Sequence, residues 1–221
     1  IDDKIEKLNQ EDIKISVPIG LEAKDRQIIE DQEDIKELEY GYDKDVFLAG
    51  DPTVIKVLNM PYEISKPEII EGRELKGPDE IILDSRMKKA GSKIGDTIRF
   101  KEDNDDDEDN DLKRLSFKVV GFANSLDFLQ DKIEAYSERG YGKISYFAYI
   151  DDGNFSGDPT LAKIKFLGTV GLKTSDKDYV DYMDKKKRAL KVDLKSRPKE
   201  RLASIQGEIS GKITDAEDKI S

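Results

Sequence analysis

Residues 68 to 125 constrain the fold more than any other stretch of the chain. Glu80-Ile81-Ile82-Leu83-Asp84 is a short apolar run between Gly77-Pro78 and a charged segment, the pattern of a buried strand. Thr97-Ile98-Arg99-Phe100 and Phe117-Lys118-Val119-Val120-Gly121-Phe122 alternate apolar with polar residues, as half-buried strands do. Gly95-Asp96 supplies the turn that returns the chain to the sheet. The stretch therefore reads as a small β-module of three strands, with a short helix from Ser85 to Ala90 between the first two.

Strand and helix patterns flank this module on both sides. Ile1, Ile5 and Leu8 are spaced as one face of an amphipathic helix. Ile13 to Leu21 is a strand candidate, and residues 22 to 33 are helix-prone with Ile28 and Ile29 as the buried edge. Ile35 to Tyr42, Lys44 to Ala49 and Val54 to Leu58 follow as strands. Strand, helix, strand in that order is the split βαβ pattern, which places a helix on one face of a sheet. Beyond the module, Leu126 to Arg139 reads as a helix or an irregular crossover, and Ile144 to Ile150 and Leu161 to Leu167 read as strands. Asp176 to Leu190 is helical, with Tyr179, Val180, Met183 and Leu190 along one side.

The expected fold is α+β in a single domain spanning residues 1–221. A two-part α/β base of split βαβ-like halves, residues 12–67 and 126–195, carries the β-rich subdomain 68–125 as an insertion. A C-terminal amphipathic helix, 198–221, is the start of a stalk or coiled coil. Pro198 suits its first turn, and Leu202, Ile205, Ile209, Ile213, Ala216 and Ile220 recur at spacings of 3, 4, 4, 3 and 4. The chain opens on Ile1 and stops inside that helical pattern, so it is expected to be a piece of a longer protein.

Composition bounds the chemistry. Charged residues make up 39% of the 221 and apolar ones 36%, which implies a thin core under a heavily solvated surface. A net charge of −11 argues against nucleic acid and against docking on an anionic membrane face. There is no Cys, His or Trp, so disulfides, thiolate or imidazole metal sites, a His-based triad and a His pH switch are excluded. No run approaches the roughly 18 apolar residues of a membrane span.

Of the local motifs, the run from Glu102 to Asp111 is the loudest, containing only Asp, Glu and Asn. It lacks the sixth-position Gly and the twelfth-position Glu of an EF-hand loop, so it reads as a solvated hairpin loop. Ser85-Arg86-Met87-Lys88 matches S-x-x-K without the accompanying S-D-N, and Lys185 to Arg188 fits cations near a helix C-terminus. No catalytic residue, cofactor site or metal site is assigned. The aromatic cluster at Tyr136, Tyr141, Tyr146, Phe147 and Tyr149 divides between core and surface, with Tyr136, Tyr141 and Tyr146 as the candidate partner or ligand surface.

In order, Glu71-Gly72-Arg73, Asp79 to Asp84, Lys88 to Phe100 and Phe117 to Phe122 resemble the core of the extracytoplasmic domain in FtsX-like, MacB-type ABC transporter permeases. That family has a "GR", then "EIvLd", a short helix, "iGDti" and a strand reading "fkVvGi". Looser similarity runs from Asp12 to about Leu194, including Glu39 to Tyr42 and Phe147 to Ile150. The resemblance implies a non-enzymatic domain at the outer face of the cell membrane of a Gram-positive bacterium. It also implies a separate cytoplasmic ATPase, with a second permease copy or an extracytoplasmic protein as further partner. The alternative from the residues alone is a secreted or cell-wall-anchored ligand-binding module.

Overall fold

The computed structural model of the chain describes residues 2–101, 112–128 and 143–206. The acidic run 102–111, Tyr136, Tyr141 and the apolar positions from Ile209 onward lie outside the described residues.

Two sheets divide the strands. The smaller contains β1 (Ile13–Ser16), β10 (Leu161–Phe166) and β2 (Ile35–Gly41) in that spatial order, with β10 antiparallel to both neighbours. β1 and β2 are thus parallel and joined by helix α2 (Ala23–Glu30), which is the split βαβ unit expected from the sequence. Its apolar face aligns Ile13 with Ile164 and Leu38, and Ile15 with Ala162 and Tyr40. Ile29 of α2 and Met183 and Leu190 of helix α4 (Lys177–Asp193) cover that face.

The larger sheet has seven strands. Its order is β3 (Asp43–Phe47), β4 (Val54–Asn59), β9 (Ile144–Ile150), β6 (Glu80–Asp84), β8 (Ser116–Asn124) and β5 (Glu68–Gly72), with β7 (Thr97–Arg99) also paired to β8. β4 runs parallel to β9 and β6 parallel to β8, and the other pairs are antiparallel. Alternation splits the residues between two cores. Ile55, Val57, Ile81, Leu83, Val119, Phe122, Ala148 and Ile150 face one side, where Met87 of helix α3 (Ser85–Lys89) and Phe155 also pack. Leu58, Ile82, Val120, Ala123, Phe147 and Tyr149 face the other, together with Leu161 of β10.

The α+β class is as expected. The strands of 68–125, however, do not form a sheet of their own: β6 lies hydrogen-bonded to β9, and β9 to β4. β5 was not anticipated, because Glu68 and Glu71 flank only two apolar residues and the strand is a sparsely buried edge. The first helix, α1 (Asp2–Lys7), lies where the stripe of Ile5 and Leu8 places it. On α4 the buried line runs through Met183, Lys186 and Leu190, while Val180 is 45% exposed. Lys186 is therefore no solvated cation. Its ammonium donates to the Glu33 carbonyl at 2.6 Å and lies 5.1 Å from the Phe166 ring centre. A last helix, α5, is described over 197–206 and exposes Leu202 and Ile205.

Candidate functional site

The seam between the two sheets is polar. The chain crosses it at Tyr42, whose N–H donates to the Asn59 side chain at 2.8 Å. It crosses again before β10, where the Thr160 hydroxyl donates to Asp43 Oδ1 at 2.5 Å and accepts from the Asp43 N–H at 2.7 Å. Glu39 of β2 reaches the turn after β4 and accepts from three successive N–H groups, those of Tyr62, Glu63 and Ile64, at 2.5, 3.0 and 2.7 Å. Hydrogen bonds have directions and apolar contacts do not, so this seam fixes one relative position of the sheets and resists others.

Residues 8 to 12 lie in the seam as a strap. The Leu8 and Asn9 carbonyls accept from the Lys66 and Ser65 N–H groups, and the Asn9 amide donates to Glu37 of β2 at 2.7 Å. The Gln10 amide donates to Asp127 at 2.8 Å, and Lys165 of β10 donates to the Gln10 carbonyl at 2.7 Å. Asp12 fastens the strap to the small layer. Its N–H donates to the Ile164 carbonyl at 2.9 Å, and its carboxylate accepts from the Phe166 N–H, the Thr169 hydroxyl and the Tyr179 hydroxyl at 2.8, 2.8 and 3.2 Å. Burial, with the Asp12 charge beside it, raises the Tyr179 phenol above its ordinary range. A cleft of about 440 Å³ opens beside the strap, but its lining mixes Ile5 and Val170 with Lys36, Lys165 and Asp12 and selects no ligand class.

The C-terminal helix docks on the same layer. Arg197, 7% exposed, donates to Asp25, Glu200 and Glu22 at 2.5, 2.7 and 2.8 Å. Asp25 is itself buried and closes the α2 capping box with Glu22. Arg201 donates to the Gly20 and Ile19 carbonyls just before α2. These carboxylates, Asp25 first, hold the Arg197 guanidinium more firmly protonated than usual. The C-terminal helix is thus pinned to the layer of β1, β10, β2, α2 and α4, whereas the N-terminal strap bonds both to that layer and to residues 65, 66 and 127. α1 adds one exposed ion pair to the larger sheet, Lys4 to Glu68 at 3.0 Å.

Of the aromatic residues singled out in the sequence, Tyr146 lies on β9, half-buried, with the Arg86 guanidinium 5.5 Å from its ring centre. Phe147 and Tyr149 are buried in the core on the opposite face. Tyr136 and Tyr141 are outside the described residues, so only Tyr146 of the three candidates is placed. The structure also draws together Gln10, Glu11, Asp12, Asp127 and Lys163 at the seam and Arg197 on α2, which sequence reading does not single out. Lys163 alternates with Ala162 and Ile164 on β10 and is buried on the same face as Leu161, which packs on the larger sheet. Among the described residues there is no group of three or more His, Cys, Asp or Glu able to hold a metal ion. No described helix is long and apolar enough to cross a membrane.

No family model matches the chain, and no curated protein matches it. Among solved structures, the chain is similar to the extracellular domain of the noncanonic ABC-type transporter YknZ from Gram-positive bacteria. That match has 10% identity and a TM-score of 0.44, and covers 78% of this chain and 92% of that one. It is also similar to the periplasmic region of MacB from Actinobacillus actinomycetemcomitans, at 12% identity and a TM-score of 0.39, over 82% of this chain and 86% of that one. A domain of a permease protein from Porphyromonas gingivalis matches at 13% identity and a TM-score of 0.38, covering 77% of this chain and 71% of that one.

Proposed function

We propose that the chain is the extracytoplasmic domain of an FtsX-like, MacB-type ABC transporter permease, and that it relays motion and performs no catalysis. The observation that carries the reading is the docking of the C-terminal helix on the small layer, with the N-terminal strap lying in the seam between that layer and the larger sheet. Movement of membrane segments continuous with those ends turns the small layer as a lever, and the larger sheet carries the load toward substrate or partner. A separate cytoplasmic ATPase supplies the energy, and a second permease copy or an extracytoplasmic protein receives the motion. Tyr136, Tyr141 and Tyr146 remain the proposed contact surface for that partner. The segment then sits outside the cell membrane, as its resemblance to Gram-positive permeases implies.

The reading frame around the segment tests the assignment. An apolar run of about 20 residues shortly before Ile1, with several more downstream, is the expected result. A signal peptide followed by an anchor or repeats would replace the permease with a secreted or wall-anchored binding module.

A further inference from the structure

Where Gln10 and Glu11 cross the seam, two carboxylates from different parts of the chain meet under cover. The Glu11 and Asp127 side chains are 7% and 6% exposed. One amide, that of Gln10, donates to both, at 2.7 and 2.8 Å. The Ser65 hydroxyl donates to Glu11 and accepts the Glu11 N–H at 3.0 Å. Two cations face the pair from the small sheet. Lys14 of β1 lies 3.4 Å from Asp127 and 3.9 Å from Glu11, and Lys163 of β10 is buried beside them. Tyr149 of β9 and Tyr179 of α4 complete the titratable groups that feel the pair, and Lys165 is held on the Gln10 carbonyl.

The two acids are not equivalent. Burial, followed by the Asp127 charge, raises Glu11 above its ordinary 4.5, and the Ser65 hydrogen bond and the lysines offset this only in part. Burial also opposes ionisation of Asp127, yet Lys14, Lys163 and the Gln10 amide together outweigh it and leave that group lowered. The pair therefore titrates in two separated steps.

We infer that docking of the strap, residues 8 to 12, into the seam is proton-linked through Glu11, and that acidification tightens it. A carboxyl that holds its proton more firmly in the seam than in water favours the docked strap as pH falls toward the ordinary value of 4.5. Below that, protonation of Asp127 removes its bond to Lys14 and reverses the trend. The strap is thus held most firmly in mildly acidic surroundings, independently of the permease reading.

Amide hydrogen exchange of the whole chain, corrected for the intrinsic rate at each pH, tests this. The reporters are the Asp12, Ser65 and Lys66 N–H groups, which bond across the strap, with Ile82 and Val119 of the larger sheet as controls. Between about pH 7.5 and 5, protection at the reporters is expected to rise severalfold, within a limit of about tenfold per pH unit for one proton. The controls should not follow. Glu11→Gln should abolish the rise by making protection high throughout. A rise that persists in that variant, or none in the unaltered chain, overturns the inference. The Glu11 carboxyl carbon, followed by NMR in the unaltered chain, gives a reading that needs no variant. A midpoint above 4.5 is expected, and one at or below it overturns the inference.

Discussion

Gly72 and Gly121 pair across β5 and β8, beyond a register shift between Ile69 and Glu71, and neither tolerates a side chain. A Cβ on Gly72 would lie 2.2 Å from the Val120 carbonyl oxygen, at a φ of +83°, and one on Gly121 would lie 2.9 Å from the Arg73 carbonyl oxygen. Gly95 also has positive φ, +95°, but open space around it. Gly72→Ala is expected to cost about 3 kcal/mol, from backbone clash plus left-handed strain, and Gly95→Ala about 1 kcal/mol from strain alone. Urea unfolding of the two variants checks the ratio. The neighbouring motif residues are structural as well. Arg73 grips both oxygens of Glu80, at 2.7 and 2.5 Å, and holds that carboxyl down at about 2. A depressed carboxyl adds stability above its ordinary 4.5 and loses it as pH falls toward 2. Glu80→Gln should therefore flatten this part of the acid limb of a melting-temperature profile. Asp84, buried, caps α3 by accepting from the Arg86 N–H at 2.9 Å and also holds the Arg86 side chain. The motifs were legible because each solves a backbone problem at a fixed spacing. For the same reason they mark a fold and do not make a site.

At the scale of elements, the split βαβ unit could be read in advance because β1, α2 and β2 keep their own periodicities. The helix that closes the chain shows the opposite case. Its apolar stripe reads as the start of a stalk or coiled coil, and Leu202 and Ile205 are exposed, but the helix is fastened to the domain by Arg197 and Arg201, which the stripe does not announce. Arginines in a charged tail carry no periodic signal, and their partners lie in α2, far away in sequence. Removing Arg197 strands the buried Asp25. Arg197→Ala should therefore cost about 3 kcal/mol and release α5 from α2, seen as lost protection of the first α5 amides. Asp12→Ala removes the acceptor of three hydrogen bonds between the strap and β10, the following turn and α4. At roughly 1 kcal/mol each, it should lower stability by about 2 to 3 kcal/mol. Neither change should disturb β6 and β8.

For the whole molecule, the sequence located the two layers' strands but not the line between them. The expected subdomain 68–125 follows the β-rich pattern of that stretch, whereas the two sheets divide at Tyr42 and again between β9 and β10. Long-range pairing such as β6 with β9 leaves no local trace. The seam was equally hidden, since Glu39, Asn59, Asp127 and Thr160 are unremarkable until the two layers place them together. On the proposed reading, the small layer turns against the larger sheet only as the hydrogen bonds of this seam break and re-form. The absence of cysteine from all 221 residues permits paired labels at Val180 on α4 and Ile70 on β5, both well exposed. On the proposed permease reading, the decisive measurement is the distance between those labels in the full-length protein, with and without ATP. The account predicts a nucleotide-dependent change, suppressed when a crosslink joins Thr160 to Asp43 across the seam. A distance that stays fixed while ATP is turned over would contradict that reading.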